Sequence, residues 1–189
     1  MEFKLLNRAA SISHNDGVIE LTAPGKTDYF ADVCSEYRQF NAPFYHTSAE
    51  NDFIFRCKLR PEFNETYDAG GIIAYESDNR WIKFAFENTD LGYPSVVSAV
   101  TNIVSDDGNG ESINEKEIWM QIVRREHNWC LHYSNDKKKW RMVRYFRFEL
   151  NEKINIGIFS QSPLGEDCRV KFSELELLEN AYKNIRKAE

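Results

Sequence analysis

Residues 69–87 read AGGIIAYESDNRWIKFAFE, two apolar runs joined by a short polar turn around Asp78. Side chains alternate across a strand with a period of two. In the second run that rule sends Ile82, Phe84 and Phe86 to one face. Trp81, Lys83, Ala85 and Glu87 go to the other. The first set is greasy enough to build a core. The second places an indole, an ammonium and a carboxylate side by side, the combination expected of a binding face. The stretch therefore predicts a β-hairpin with one buried and one functional side.

The flanking sequence repeats this pattern. Gly17–Thr22 follows the turn signal Asn15-Asp16-Gly17 and predicts the second arm of a hairpin, with Ala10–Ser13 as the first. Asp52–Leu59 alternates, with Phe53, Phe55 and Cys57 on one face, and is predicted to end at Pro61. Ser95–Val104 is β-branched and strand-like. Ile118–Arg125 sets Ile118, Met120 and Ile122 against Trp119, Gln121, Val123 and Arg125. Trp129–Ser134, Trp140–Phe146, Lys153–Phe159 and Arg169–Leu177 follow at short spacing. Cys34–Pro43 and the acidic run Ser105–Gly110 read as loops. Leu178–Lys187 is the one helical candidate, with late cations suited to a helix C-terminus. Many short strands and almost no helix predict an all-β sandwich or barrel.

The chain has 189 residues, enough for one domain with a substantial core. A net charge of −6 with dispersed Lys and Arg argues against nucleic acid and against an anionic membrane surface as partners. No run is long and apolar enough to span a bilayer, and the first residues lack the pattern of an export signal. The four cysteines are scattered without a CxxC pair, as expected of reduced, mostly buried thiols in a cytoplasmic protein. The four histidines lack zinc spacing. The oxygen-rich run 105–111 fails the calcium-loop spacing. No GxSxG motif or phosphate-binding glycine loop occurs. No cofactor or metal is expected.

TDYF at 27–30, YDAGGIIAYESDNRWIKFAFEN, the Ser105-Asp106 run, IWMQIVRRE, LHYSNDKKKW, GIFSQSP and VKFSELEL follow one another in an order that resembles one family. It comprises uncharacterised single-domain proteins of bacteria and fungi, including a fungal member described as a regulator of enolase. It belongs to the concanavalin A-like lectin/glucanase superfamily. The resemblance extends to about Leu178. The family often carries Trp where this chain has Phe30, and a more Trp-rich loop where it has Asp106-Asp107-Gly108. The resemblance implies a two-sheet jelly roll over residues 1–178, and the helical candidate beyond it leaves 179–189 as a helical tail. In lectins and glucanases of the superfamily the concave sheet binds sugars. The family itself implies no activity.

The alternation yields a candidate ligand-binding set: Trp81, Lys83, Glu87, Trp119, Gln121, Arg125 and His132. An indole stacks on apolar C–H faces, and Arg, Lys, Glu, Gln and His serve hydroxyl groups. Sharing one solvent-filled trough, these residues predict a carbohydrate or polyol site without catalysis. The plainer alternative is a solvated sheet surface with Lys83 and Glu87 as a weak ion pair. Two other functions stay open: a protein-interaction module acting on a metabolic enzyme, and a divergent glycoside hydrolase. Hydrolysis needs two carboxyl groups across the scissile bond, and Glu76 facing Glu87 across the hairpin is the pair on offer.

Overall fold

A computed structural model describes residues 2–189. Its strands, in chain order, are β1 (Lys4–Leu6), β2 (Ser11–Asn15), β3 (Val18–Pro24), β4 (Tyr29–Ala31), β5 (Arg38–Phe40), β6 (Phe44–Glu50), β7 (Phe53–Glu62) and β8 (Ala69–Ser77). They continue as β9 (Arg80–Asn88), β10 (Pro94–Asn102), β11 (Val104–Ser112), β12 (Ile118–Arg125), β13 (Asn128–Ser134), β14 (Arg141–Arg147), β15 (Lys153–Gln161) and β16 (Asp167–Glu179). Two antiparallel seven-stranded sheets form a jelly-roll sandwich. Sheet I runs β1-β6-β15-β8-β9-β10-β11, and sheet II runs β14-β13-β12-β7-β16-β3-β2. β4 and β5 pair only with each other.

The main core fills the space between the sheets, and the period-two reading names its members. Ile82, Phe84 and Phe86 of β9 meet Phe53, Phe55 and Cys57 of β7 and Ile118, Met120 and Ile122 of β12. Ile154, Ile156 and Ile158 of β15 join them. Each large apolar side chain removed from water contributes about 1.5–3 kcal/mol. At Gly71 a β-carbon would collide with the Phe84 carbonyl oxygen and the Ala85 Cα, so glycine there lets β8 lie flat against β9, while at Gly70 it would meet the Val170 side chain of β16. The Asp16-Gly17 turn has positive φ at both residues, 48° and 77°. That geometry matches the right-handed twist of the β2–β3 hairpin.

Four sequence expectations are corrected. The acidic run 105–110 is not a loop but lies within β11, the edge strand of sheet I. Polar, charged residues suit an edge, where they discourage pairing with another chain. Cys34–Pro43 is not wholly irregular: it contains β5, which folds back on β4. Pro61 does not end β7. Its register partner is Val170, while pairing with β12 stops at Leu59, so proline's missing N–H falls where β7 has one open side. The C-terminal helix is absent. β16 runs to Glu179, and residues 181–189 form turns against the outer face of sheet II, where Ala181, Tyr182 and Ile185 pack on Ile54, Val123 and Cys130. A segment this short holds no helix without tertiary support, and here the contacts favour a folded-back tail.

Candidate functional site on the outer face of sheet I

Strand register fixes what faces outward on sheet I. Lys83 lies between Ile73 and Ala99, and Asp107 continues the same row beyond Ala99. Glu87 lies between Ala69 and Ser95, and Gln161 continues that row beyond Ala69. Ala85 stands between the rows beside Gly71. Small residues, with Val97 beside Ala85 and Ile73 beside Lys83, therefore form an apolar floor, and Lys83, Glu87, Asp107 and Gln161 rise from it as polar posts.

The β4–β5 ribbon roofs one end of this face. Tyr29 meets the Trp81 ring edge-on at a centroid distance of 5.9 Å, and Phe40 tilts against it at 6.5 Å. Trp81 is 0% exposed, and its indole nitrogen has no hydrogen-bond partner. The ribbon stops short of the other end. There a cavity of about 360 Å³ remains between Asp28, Phe30 and Tyr37 of the ribbon, the sheet's polar posts, and loop residues including Tyr67, Asp90 and Leu164.

Lys83 is 4% exposed and Glu87 8%. The Lys83 ammonium reaches Asp28 Oδ1 at 3.6 Å and donates to Gln161 Oε1 at 3.4 Å. Both contacts are long, which leaves donor capacity directed at the cavity. The ammonium also stands 5.7 Å from the centre of the Phe30 ring. Asp28 is held firmly: its Oδ1 accepts the Tyr29 amide at 2.8 Å and its Oδ2 accepts the Tyr37 hydroxyl at 3.0 Å.

Glu87 is the unusual member. The neighbouring Ser95 hydroxyl donates to the Glu111 carbonyl instead, and Ala69 offers nothing. Among the described residues no side chain or amide donates to the Glu87 carboxylate. Burial pushes its pKa up to about 8 against the pull of Lys83, with Asp28, Asp107 and Asp90 adding in the same direction. At neutral pH the group is mostly protonated, so it both donates and accepts. Asp107, at the mouth, is also raised, chiefly by desolvation, although its side chain reaches solvent.

The seven predicted residues do not share one trough, and that expectation is corrected. Trp81, Lys83 and Glu87 lie on the outer face of sheet I. Trp119, Gln121, Arg125 and His132 lie on the outer face of sheet II, across the core. Trp81 is sealed, not a stacking platform. Gln121 and His132 are directly paired, 3.4 Å apart, and fully buried beneath the tail. Tyr182 donates to Gln121 at 3.3 Å, His132 contacts the Arg186 carbonyl at 3.4 Å, and Arg125 donates to the Lys183 carbonyl at 2.6 Å. Trp119 is half-buried, with the Lys58 ammonium 4.5 Å above its ring. Glu76 and Glu87 do not face each other. Register puts Ala69 opposite Glu87, seven residues from Glu76, a separation of roughly 23 Å at about 3.3 Å per residue. Glu76 instead binds Arg80 at 2.8 Å.

Sequence reasoning missed Asp28, Tyr37, Asp107 and Gln161. Asp28 sits in the TDYF run, but nothing local tells that this run crosses sheet I. Asp107 carried a usable signal, because Ser105, Asp107 and Asn109 share one face once the run is treated as a strand.

All four cysteines are free, with Cys34 exposed and Cys57, Cys130 and Cys168 buried. No helix among the described residues is long and apolar enough to cross a membrane.

A family model described as "Protein of unknown function (DUF1349)" matches residues 5–180. "Regulation of enolase protein 1" of Saccharomyces cerevisiae is 24% identical over 173 residues, covering 91% of this chain and 87% of the yeast protein. A crystal structure of a functionally unknown protein from Saccharomyces cerevisiae superposes with a TM-score of 0.88 at 24% identity, over 93% of this chain and 95% of that one. Carbohydrate binding module CBM66 from Bacillus subtilis gives a TM-score of 0.59 at 9% identity, covering 93% and 94% of the two chains. A GH43 protein from Bacillus licheniformis gives 0.68 at 14% identity, but the match spans 87% of this chain and only 33% of that one. These likenesses to solved structures establish the fold.

Proposed function

The chain belongs to the family described as protein of unknown function DUF1349, and from that footing we propose that it is a non-catalytic cytoplasmic binding protein that takes a carbohydrate or related polyol in the pocket on sheet I. One observation carries this reading: a partly roofed cavity of about 360 Å³ on an apolar floor, with the under-bonded Lys83 and Glu87 aimed into it. A buried polar group without a good partner costs free energy unless a ligand or water completes it. A ligand rich in hydroxyls donates and accepts at each position, as this mixed set requires. Phe30, Tyr37 and Tyr67 supply apolar surface for its C–H faces. The likeness to a carbohydrate binding module supports the reading at the level of architecture. A calorimetric and thermal-shift screen of sugars and polyols tests it. A ligand at one hundred times its dissociation constant stabilises by about 2.7 kcal/mol, which raises Tm visibly. Lys83→Met is expected to abolish that shift and Trp119→Ala to leave it. If no compound raises Tm, or if Lys83→Met binds normally, the reading is wrong.

The name of the yeast relative favours a second reading, a module that acts on a metabolic enzyme. Leu164, 65% exposed at the pocket, and Leu91, 52% exposed beside Asp90, would supply an apolar rim for such contact. Purified enolase is the probe. Binding that a saturating pocket ligand displaces would place the enzyme at the same mouth. An enolase that binds neither the free nor the ligand-saturated protein excludes this reading.

A further inference from the structure

Around the pocket five carboxyl groups, Asp28, Asp32, Glu87, Asp90 and Asp107, face one ammonium, Lys83. Lys83 leans toward the ribbon, where Asp28 pairs with it at 3.6 Å. Asp32 is served by the Ser35 hydroxyl and the Cys34 amide, and Arg144 pairs with Asp106 at 3.1 Å while also pulling on Asp107, which offsets one charge of the set. Negative charge at the mouth thus exceeds positive, and a low-dielectric cavity focuses such a field. An anionic ligand is repelled. A neutral ligand gains nothing from the excess. Glu87 adds an independent sign: it is more than nine-tenths buried, opens on the cavity and receives no hydrogen bond. The acidic groups facing it are Asp28 from the ribbon, Asp107 from β11 and Asp90 from the loop after β9. Lys83 is the facing cation, and the Tyr67 phenol stands close by. A divalent cation is a poor occupant, because the Lys83 ammonium stands among the same carboxylates.

Resting on the reading of the pocket as a polyol site, we propose that its ligand also carries an ammonium group, as an amino sugar or a polyhydroxylated amine does, with that ammonium seated between Glu87 and Asp107. The hydroxyl groups then fall to Lys83 and Gln161. The ring faces of Phe30 and Tyr37 suit a cation or its flanking C–H groups. Seating a cation favours the ionised form of Glu87, so binding expels the proton that burial keeps on the empty site.

Calorimetry with 1-amino-1-deoxysorbitol and with sorbitol tests this directly. The two differ by one ammonium, and an aliphatic amine stays charged near neutral pH. Titrations at pH 7 in two buffers of different ionisation enthalpy count protons. The amine is expected to bind at least about tenfold more tightly than sorbitol, to release roughly half to one proton, and to weaken with added salt. Glu87→Gln, which mimics the protonated side chain, is expected to remove the proton release and most of the preference. Asp107→Asn, on the exposed edge strand, is expected to reduce the preference without affecting folding. Equal affinities for the two probes overturn the ammonium assignment and leave polyol binding standing. An amine that binds tightly without releasing protons, or equally well to Glu87→Gln, overturns its placement. Silence from both probes and from neutral sugars overturns the ammonium and the polyol site together.

Discussion

Lys83 on β9 and Asp28 at the start of the β4–β5 ribbon lie 3.6 Å apart, Nζ to Oδ1, with both side chains almost closed off from water. The ribbon shares no backbone ladder with either large sheet. Contacts such as this one, the Tyr29–Trp81 packing and the 3.0 Å hydrogen bond that the Ala31 amide donates to Ser105 Oγ hold it in place. Removing one partner of a buried pair typically costs about 3–5 kcal/mol. Asp28→Ala is expected at or below the low end, because Asp107 still compensates Lys83 and the loss of Asp28 favours ionisation of Glu87. The ribbon should loosen before the sandwich does. Greater acrylamide quenching of Trp81 at denaturant concentrations that leave the sheets intact would show this. Unchanged quenching would mean that apolar packing alone holds the roof.

Glu87 gives stability an unusual pH dependence. Its folded pKa, about 8, lies above the value of an unfolded glutamate near 4.3. The folded state therefore binds more protons between those limits. The contribution of Glu87 is fully present below about pH 4.3 and is lost as pH rises through 8. Each pKa unit corresponds to about 1.4 kcal/mol, so Glu87→Gln is expected to stabilise the protein by up to about 4–5 kcal/mol at pH 8. At pH 4.5 the difference should nearly vanish. Urea denaturation of both proteins at the two pH values checks it.

His132 acts in the opposite direction along the pH scale. Burial lowers its pKa to about 4, against about 6.5 in an unfolded chain. The folded state binds fewer protons in that window. Its contribution is complete above pH 6.5 and is lost as pH falls through 4. Up to roughly 3 kcal/mol should disappear over that range, at no more than about 1.4 kcal/mol per pH unit. His132→Gln should flatten this dependence. Since the ring contacts the Arg186 carbonyl and the Cys130 thiol, both at 3.4 Å, acid should release the tail first.

Removing residues 181–189 tests the tail from another side. The deletion uncovers Ile54, Val123 and Cys130, and it strips Gln121 and His132 of partners. In the intact protein only the exposed Cys34 should react quickly with a thiol reagent. The truncated protein should show two reactive thiols and a lower Tm. A single reactive thiol after truncation would mean that the tail does not shield Cys130.

The two tryptophans selected from the sequence should separate cleanly by stability. Trp81→Ala empties a fully buried site under Tyr29 and Phe40, and large aromatic truncations of this kind cost about 3–5 kcal/mol. Trp119→Ala, half-buried beneath Lys58, should lose about 1 kcal/mol, the scale of an exposed cation–π contact. Chemical denaturation of both variants decides the matter. Equal losses would contradict the assigned environments.

Alternation made the core legible from sequence. Ile82, Phe84 and Phe86, and Ile118, Met120 and Ile122, all lie where a period of two puts them. The same rule separated Lys83 and Glu87 from the core. It says which residues of one strand share a face, but not whether two distant strands share a sheet. Trp81 and Trp119 both point outward, from opposite sheets. Local chemistry also misled where long-range contacts decide. An edge strand made of SDDGNGES resembles a loop, and a tail ending in cations resembles a helix until its hydrophobic residues find sheet II. The pocket depends on Asp28, Asp107 and Gln161 meeting Lys83 and Glu87, a set drawn from more than a hundred residues of chain between Asp28 and Gln161, information that no single window contains.

A crystal of the protein soaked with 1-amino-1-deoxysorbitol shows what the pocket on sheet I holds. Ordered ligand density beneath Phe30, with hydroxyl oxygens within hydrogen-bond distance of Lys83 Nζ and Gln161, and the amine beside Glu87, is the predicted result. Density confined to the tail-covered face near Gln121 and His132, or none over sheet I at a concentration that saturates binding in solution, would contradict it.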